Sequence, residues 1–144
     1  MRGVGNRLSA LASALLLLAA CARSGAAIRV DEAWARPTAG SGPGVAYLSI
    51  TNDGDQPDRL VGARSPCCAT VEIHHTQVSE GRMSMVPIEN GIAFAPGATV
   101  DLMPGGYHLM LFEPIEPLRT GMRFVVTLEF EQNGEIPVEI EVRR

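Results

Sequence analysis

FVVTLEFEQNGEIPVEIEVR, residues 124–143, decides the fold class. Phe124, Val126, Leu128 and Phe130 alternate with Val125, Thr127, Glu129 and Glu131. After the turn signal Asn133-Gly134, Ile136, Val138, Ile140 and Val142 alternate with Pro137, Glu139, Glu141 and Arg143. A period of two sends successive side chains to opposite faces of an extended chain, whereas a helix would need a period near 3.6. The stretch therefore predicts a β-hairpin with one buried face.

The same pattern extends towards the N-terminus. Fifteen glycines and ten prolines punctuate short apolar runs, as an all-β sandwich or barrel requires. Strands are expected over residues 46–51, 60–63, 69–75, 83–88, 98–102 and 107–112, which with the hairpin makes about eight. In the run 69–75, Val71 and Ile73 should face inward, and Thr70, Glu72 and His74 outward. No helix of useful length and no internal repeat is expected after residue 27.

The first twenty residues read differently. Arg2 and Arg7 form a positive start, and residues 11–20 form a short apolar run, so 1–20 is read as a secretory signal, too short for a stable membrane span. The run ends in Leu18-Ala19-Ala20-Cys21, which resembles a bacterial lipobox. Cys21 is then the lipidation site and first mature residue, and 21–27 is a small-residue tether to the domain at 28–144. The alternative is ordinary cleavage that releases a free protein. Either way the protein is expected to be exported, periplasmic or in the cell envelope, and membrane-attached if lipidated.

Removing the signal leaves ten basic residues against sixteen acidic, with every basic residue an arginine. No basic run or clustered aromatic set marks a nucleic-acid partner. No nucleophile elbow, phosphate loop or carboxylate pair marks an enzyme. Cys67 and Cys68 are adjacent and have no third mature thiol to pair with once Cys21 is acylated, so no disulfide framework is expected.

PGGYHLMLF, residues 104–112, holds the chemistry. His108 and Met110 are two apart on a strand, so they share a face about 7 Å apart, while Leu109 and Leu111 take the other. His74 has outward parity on its own strand, and Met83 and Met85 are again two apart. Convergence of these residues would give a His/Met set. Thioethers are soft neutral donors that select Cu(I), and they outlast a thiolate in an oxidising compartment. Zinc would more naturally take Cys, His or carboxylate. Packing is the competing explanation, since Met is a common core filler.

His74, ten residues, Met85, twenty-two residues, then His108-Leu109-Met110 resembles the motif of the periplasmic copper chaperone family PCu(A)C. The spacing from Met85 to His108 is one residue longer than that pattern, and Glu89-Asn90-Gly91 is a turn where insertion is tolerated. DEAWARPT at 31–38, AYLSITNDGDQPDRLVGARS at 46–65, VEIHH at 71–75 and MPGGYHLML at 103–111 extend the resemblance over most of 28–125. It implies a cupredoxin-like β-sandwich and a non-enzymatic Cu(I) chaperone. By carry-over its ligands are His74, Met85, His108 and Met110, with Met83 in reserve and His75 on the wrong face. It also implies delivery of copper to cytochrome c oxidase, directly or alongside a Sco-type thiol protein. Glu72, two before His74, is a candidate to orient its imidazole, the commoner reading of such a Glu being a solvated strand residue. The adjacent cysteines are not part of the motif. Competing functions are copper buffering, a cupredoxin-type redox protein, and a lipid-anchored structural sandwich without metal.

Overall fold

A computed structural model describes residues 27–144; the expected signal, Cys21 and the tether up to residue 26 lie outside the described residues. Ten strands follow one another: β1 (Ile28–Ala35), β2 (Gly44–Asn52), β3 (Asp58–Arg64), β4 (Cys68–Ser79), β5 (Arg82–Pro87), β6 (Ile92–Phe94), β7 (Thr99–Leu102), β8 (Tyr107–Pro114), β9 (Arg123–Phe130) and β10 (Gly134–Val142). No helix is present among the described residues.

The expected hairpin is β9–β10. Its arms pair from Phe130↔Gly134 to Arg123↔Glu141, and Gly134 takes the left-handed conformation (φ 72°) that closes the turn. Val126, Leu128, Phe130, Ile140 and Val142 are buried, so one face forms core, as the alternation required.

The strands form one sheet in the order β5-β4-β8-β7-β2-β1-β10-β9-β3-β6. A further pairing, Ala63↔Val71, joins β3 to β4 and closes eight of these strands into a barrel, with β5 outside β4 and β6 outside β3. The chain is thus all-β, but its ladders close on one another where a cupredoxin-like sandwich would keep two sheets. Closure depends on pairing between strands distant in sequence, which a local period cannot specify.

Two strands were not expected. In β1 the register with β2 shifts between Asp31 and Trp34, and Glu32 sits at φ 50°. This bulge breaks the period-two pattern that would have betrayed the strand. β6 has only three residues, too few to show a period.

Two features place the β4–β8 region. Ile73 and Leu109 are register partners and both belong to the core, as do Val71 and Leu111. At the far side, buried Asp58 at the start of β3 staples the β9–β10 turn. Its carboxylate accepts hydrogen bonds from the backbone N–H groups of Arg59 (2.7 Å), Gln132 (2.8 Å) and Asn133 (3.2 Å), and from the Asn133 amide (2.6 Å). Burial pushes this carboxyl up, but the four hydrogen bonds outweigh it, and Asp58 titrates below the usual carboxylate value.

A depressed folded-state pKa gives stability that is present above the unfolded value near 4 and is lost as pH falls through the folded value. Thermal melts of the apo protein should therefore lose stability below about pH 4, and Asp58→Ala should destabilise it by about 2–3 kcal/mol at neutral pH by stranding the turn's donors. An Asp58→Ala variant with an unchanged melting temperature would contradict this.

Candidate metal centre

The antiparallel register of β4 and β8 sets the site: Glu72↔Met110, Ile73↔Leu109, His74↔His108 and His75↔Tyr107 are opposite pairs. Directly paired residues share a face. With Ile73 and Leu109 in the core, Glu72, His74, His108 and Met110 lie together on the other face. The His74 and His108 rings are 5.9 Å apart between centroids and tilted by 49°. Both residues are buried although their face points away from the core. The Phe112 ring, 5.8 Å from that of His74, is one apolar neighbour.

β5 brings the methionines alongside. Met85 pairs with Thr76 and Met83 with Val78, both of the same parity on β4 as His74. Met85 is thus diagonal to His74, which itself faces Pro87. Met83 lies four β4 positions from His74, about 13 Å along the strand. His75 is on the other face, with its ring 4.6 Å from that of Tyr107. Of the residues singled out from the sequence, Met110 and Met85 therefore flank the His74–His108 pair on either side along β4, and Met83 lies further out.

The PGG turn explains itself. Gly106 N–H donates to the Met103 carbonyl (3.0 Å), with Pro104 and Gly105 as the central residues and Gly105 at φ 84°. This is a proline–glycine turn of the type that requires positive φ at its third position. The Gly106 carbonyl then accepts two hydrogen bonds, from Thr76 N–H (3.1 Å) and from the His108 ring at Nδ1 (3.1 Å). One carbonyl thus joins β4 to the turn and orients the imidazole.

The two rings are held by opposite nitrogens. His74 Nε2 lies 2.8 Å from Glu72 Oε2, so in the neutral ring Nε2 carries the proton and donates it to the carboxylate. His108 donates from Nδ1. What remains is His74 Nδ1 and His108 Nε2, both buried and neither with a hydrogen-bond partner. Unpartnered buried nitrogens are uncommon and call for an explanation such as an ion. Burial also lowers the His108 pKa; its Gly106 bond opposes this, and His74 and His75 lower it further. The ring is thereby favoured in its neutral, lone-pair-bearing form.

The candidate donor set is two imidazole nitrogens without hydrogen-bond partners and the neighbouring thioethers. Among the described residues no three His, Cys, Asp or Glu side chains come together as a metal site. Beyond Glu72, the donors beside the two imidazoles are methionine sulfurs, which would suit a soft monovalent ion. The cysteines do not join it. Cys67 and Cys68 are both free thiols. Cys68 opens β4 opposite Pro114, six residues from His74 and about 20 Å along the strand. It is buried in the core despite sharing the parity of His74, and burial, with Cys67 adding to it, pushes its thiol up to about 12.

Glu72 is recognisable in the sequence as a candidate orienting group, whereas the Gly106 carbonyl is not, because backbone acceptors leave no mark in residue identity. The geometry predicts opposite tautomers in the apo protein. Imidazole ¹⁵N–¹H correlation spectra should show His74 protonated at Nε2 and His108 at Nδ1. Glu72→Ala should scramble His74 alone, whereas Glu72→Gln, which keeps an acceptor oxygen, should preserve it. The same tautomer at both rings would contradict the arrangement.

Comparison with known proteins agrees on the family. The profile of the LpqE-like family, described as "Putative lipoprotein LpqE-like", matches residues 28–142. A Leifsonia xyli protein named "Putative lipoprotein Lxx21020" is 33% identical over 116 residues, covering 81% of this chain and 69% of that protein. Among solved structures, the copper-bound PCuAC domain from PmoF2 superposes with a TM-score of 0.66 at 29% identity, covering 81% of this chain and 92% of that domain. The Cu(I) form of DR1885 from Deinococcus radiodurans gives a TM-score of 0.57 at 28% identity, covering 86% and 81% respectively. The chain belongs to the LpqE-like family, and its structural neighbours are PCuAC domains.

Proposed function

We propose that this protein is an exported Cu(I) carrier that holds one ion between His74 Nδ1, His108 Nε2, Met85 and Met110. The observation that carries this reading is the pair of buried, unpartnered nitrogens on directly opposed residues of β4 and β8. The copper-bound and Cu(I)-bound structural neighbours support the choice of ion. Copper is here the cargo, and binding and release need no turnover.

Each residue has a separate task in this reading. The imidazoles supply neutral nitrogen donors, with Glu72 and the Gly106 carbonyl fixing which nitrogen faces the ion. The methionines supply soft donors without charge, so the ion enters without the deprotonation a thiol would need. Because neither cysteine is near, a thiolate-based blue-copper redox centre is not favoured.

Membrane attachment through Cys21, in the periplasm or cell envelope, fits the lipobox and the lipoprotein names of the family and its relative. Delivery to the copper site of cytochrome c oxidase, directly or through a Sco-type thiol protein, follows from the resemblance to PCu(A)C chaperones. Cys21→Ser should move the protein from the membrane to the soluble exported fraction; wild type found wholly soluble there would remove the anchor.

Anaerobic Cu(I) titration against a competing chelator tests the site. One ion per chain is expected, and Met85→Leu or Met110→Leu should each weaken binding at least about tenfold, roughly 1.4 kcal/mol. Leucine keeps size and apolarity, so the fold should survive. Unchanged affinity in the double variant would reduce both methionines to packing residues.

A further inference from the structure

If copper sits between His74 and His108, it must still leave, and the structure limits the way out. One side of the pair is backed by the core through Ile73 and Leu109. The Gly106 turn, bonded to both Thr76 and His108, ends β8 level with Thr76, and β4 runs on past it into the β4–β5 hairpin. Exposure rises in the direction from His108 (2%) and His74 (7%) to Met85 (50%) and Met83 (71%). That direction runs along the β4–β5 hairpin.

The hairpin is built to project. Glu80 and Gly81 at its tip have φ of 52° and 74°, and Ser79 pairs with Arg82, as in a two-residue turn with both central residues left-handed. β5 is the outermost strand of the sheet order, and its far edge pairs with no strand of the described chain. Val78 and Met83 are directly opposed, on the same face as Met85, and all three are exposed. Exposed apolar residues grouped on one face mark a contact surface more often than scattered ones do. Methionine is suited to adaptable contacts.

We infer that this face of the β4–β5 hairpin is the surface at which the thiol partner of the proposed function takes up copper, with Met83 as an outer thioether that takes the ion as Met85 releases it. The inference rests on the proposed Cu(I) site and assigns Met83 a role in transfer, separate from resting coordination. Met83 is about 7 Å from Met85 along the strand, an adjacent same-face position. From there it is too far along β4 from His74 to complete the buried set. A soft ion passing between neutral thioethers changes one sulfur for another without gaining or losing charge. The last acceptor is sulfur for the same reason: it matches the softness of the cargo.

The test uses the Cu(I)-loaded full chain and, as acceptor, a synthetic peptide with a Cys-x-x-Cys pair, followed by stopped flow under anaerobic conditions. Met83→Leu keeps the apolar surface and removes only the sulfur. It should leave equilibrium Cu(I) affinity within about twofold of wild type and slow transfer to the peptide at least fivefold. Met85→Leu, by contrast, should weaken affinity itself. A Met83→Leu protein that transfers at the wild-type rate overturns the exchange role. One that loses affinity as Met85→Leu does also overturns it, by making Met83 a resting ligand. Wild-type protein that takes up no Cu(I) would instead remove the binding site and the exchange role with it.

Discussion

The register between β4 and β8 is the constraint on which the rest depends. His74 faces His108 and Glu72 faces Met110 only because Ile73 faces Leu109 inside the barrel. A slip of one residue would put the two histidines on opposite faces, turning one of them into the core and its strand's core residues outward. The register is therefore fixed by hydrophobic burial on one face, and the polar set on the other face inherits its geometry at no separate expense of design. The PGG turn adds the second restraint, since the Gly106 carbonyl holds Thr76 of β4 and the His108 ring at once.

This division of labour explains how much could be read from the chain. β9–β10 was legible because Phe124 to Val142 keep a strict period of two across a turn signal. The neighbouring faces of His108 and Met110, and of Met83 and Met85, were legible for the same reason. β1 was not, because its bulge at Asp31–Trp34 interrupts the alternation. Barrel closure was not, because the single bridge Ala63↔Val71 is a meeting of strands that no local pattern records. Cys68 has outward parity yet lies in the core, because parity alone does not record what covers a face.

At the candidate site, residue types were visible and atoms were not. The sequence offers three histidines and several methionines. Only the fold shows that Glu72 and a backbone carbonyl occupy opposite ring nitrogens, leaving His74 Nδ1 and His108 Nε2 without partners. The arrangement is a compromise between holding and releasing. Burial favours the neutral form of His108 and fixes both rings, while the exposed hairpin keeps Met85 and Met83 accessible. A fully buried set would bind and not exchange, and a fully exposed set would offer no selectivity over solvent ligands.

X-ray absorption at the copper K-edge on the Cu(I)-loaded protein tests the proposed coordination most directly, because it counts nitrogen and sulfur neighbours of the ion itself. The account predicts a Cu(I) edge with a mixed shell of two nitrogens and two sulfurs, losing one sulfur in Met110→Leu and one nitrogen in His74→Ala. A shell without sulfur, or one unchanged in both variants, would contradict it.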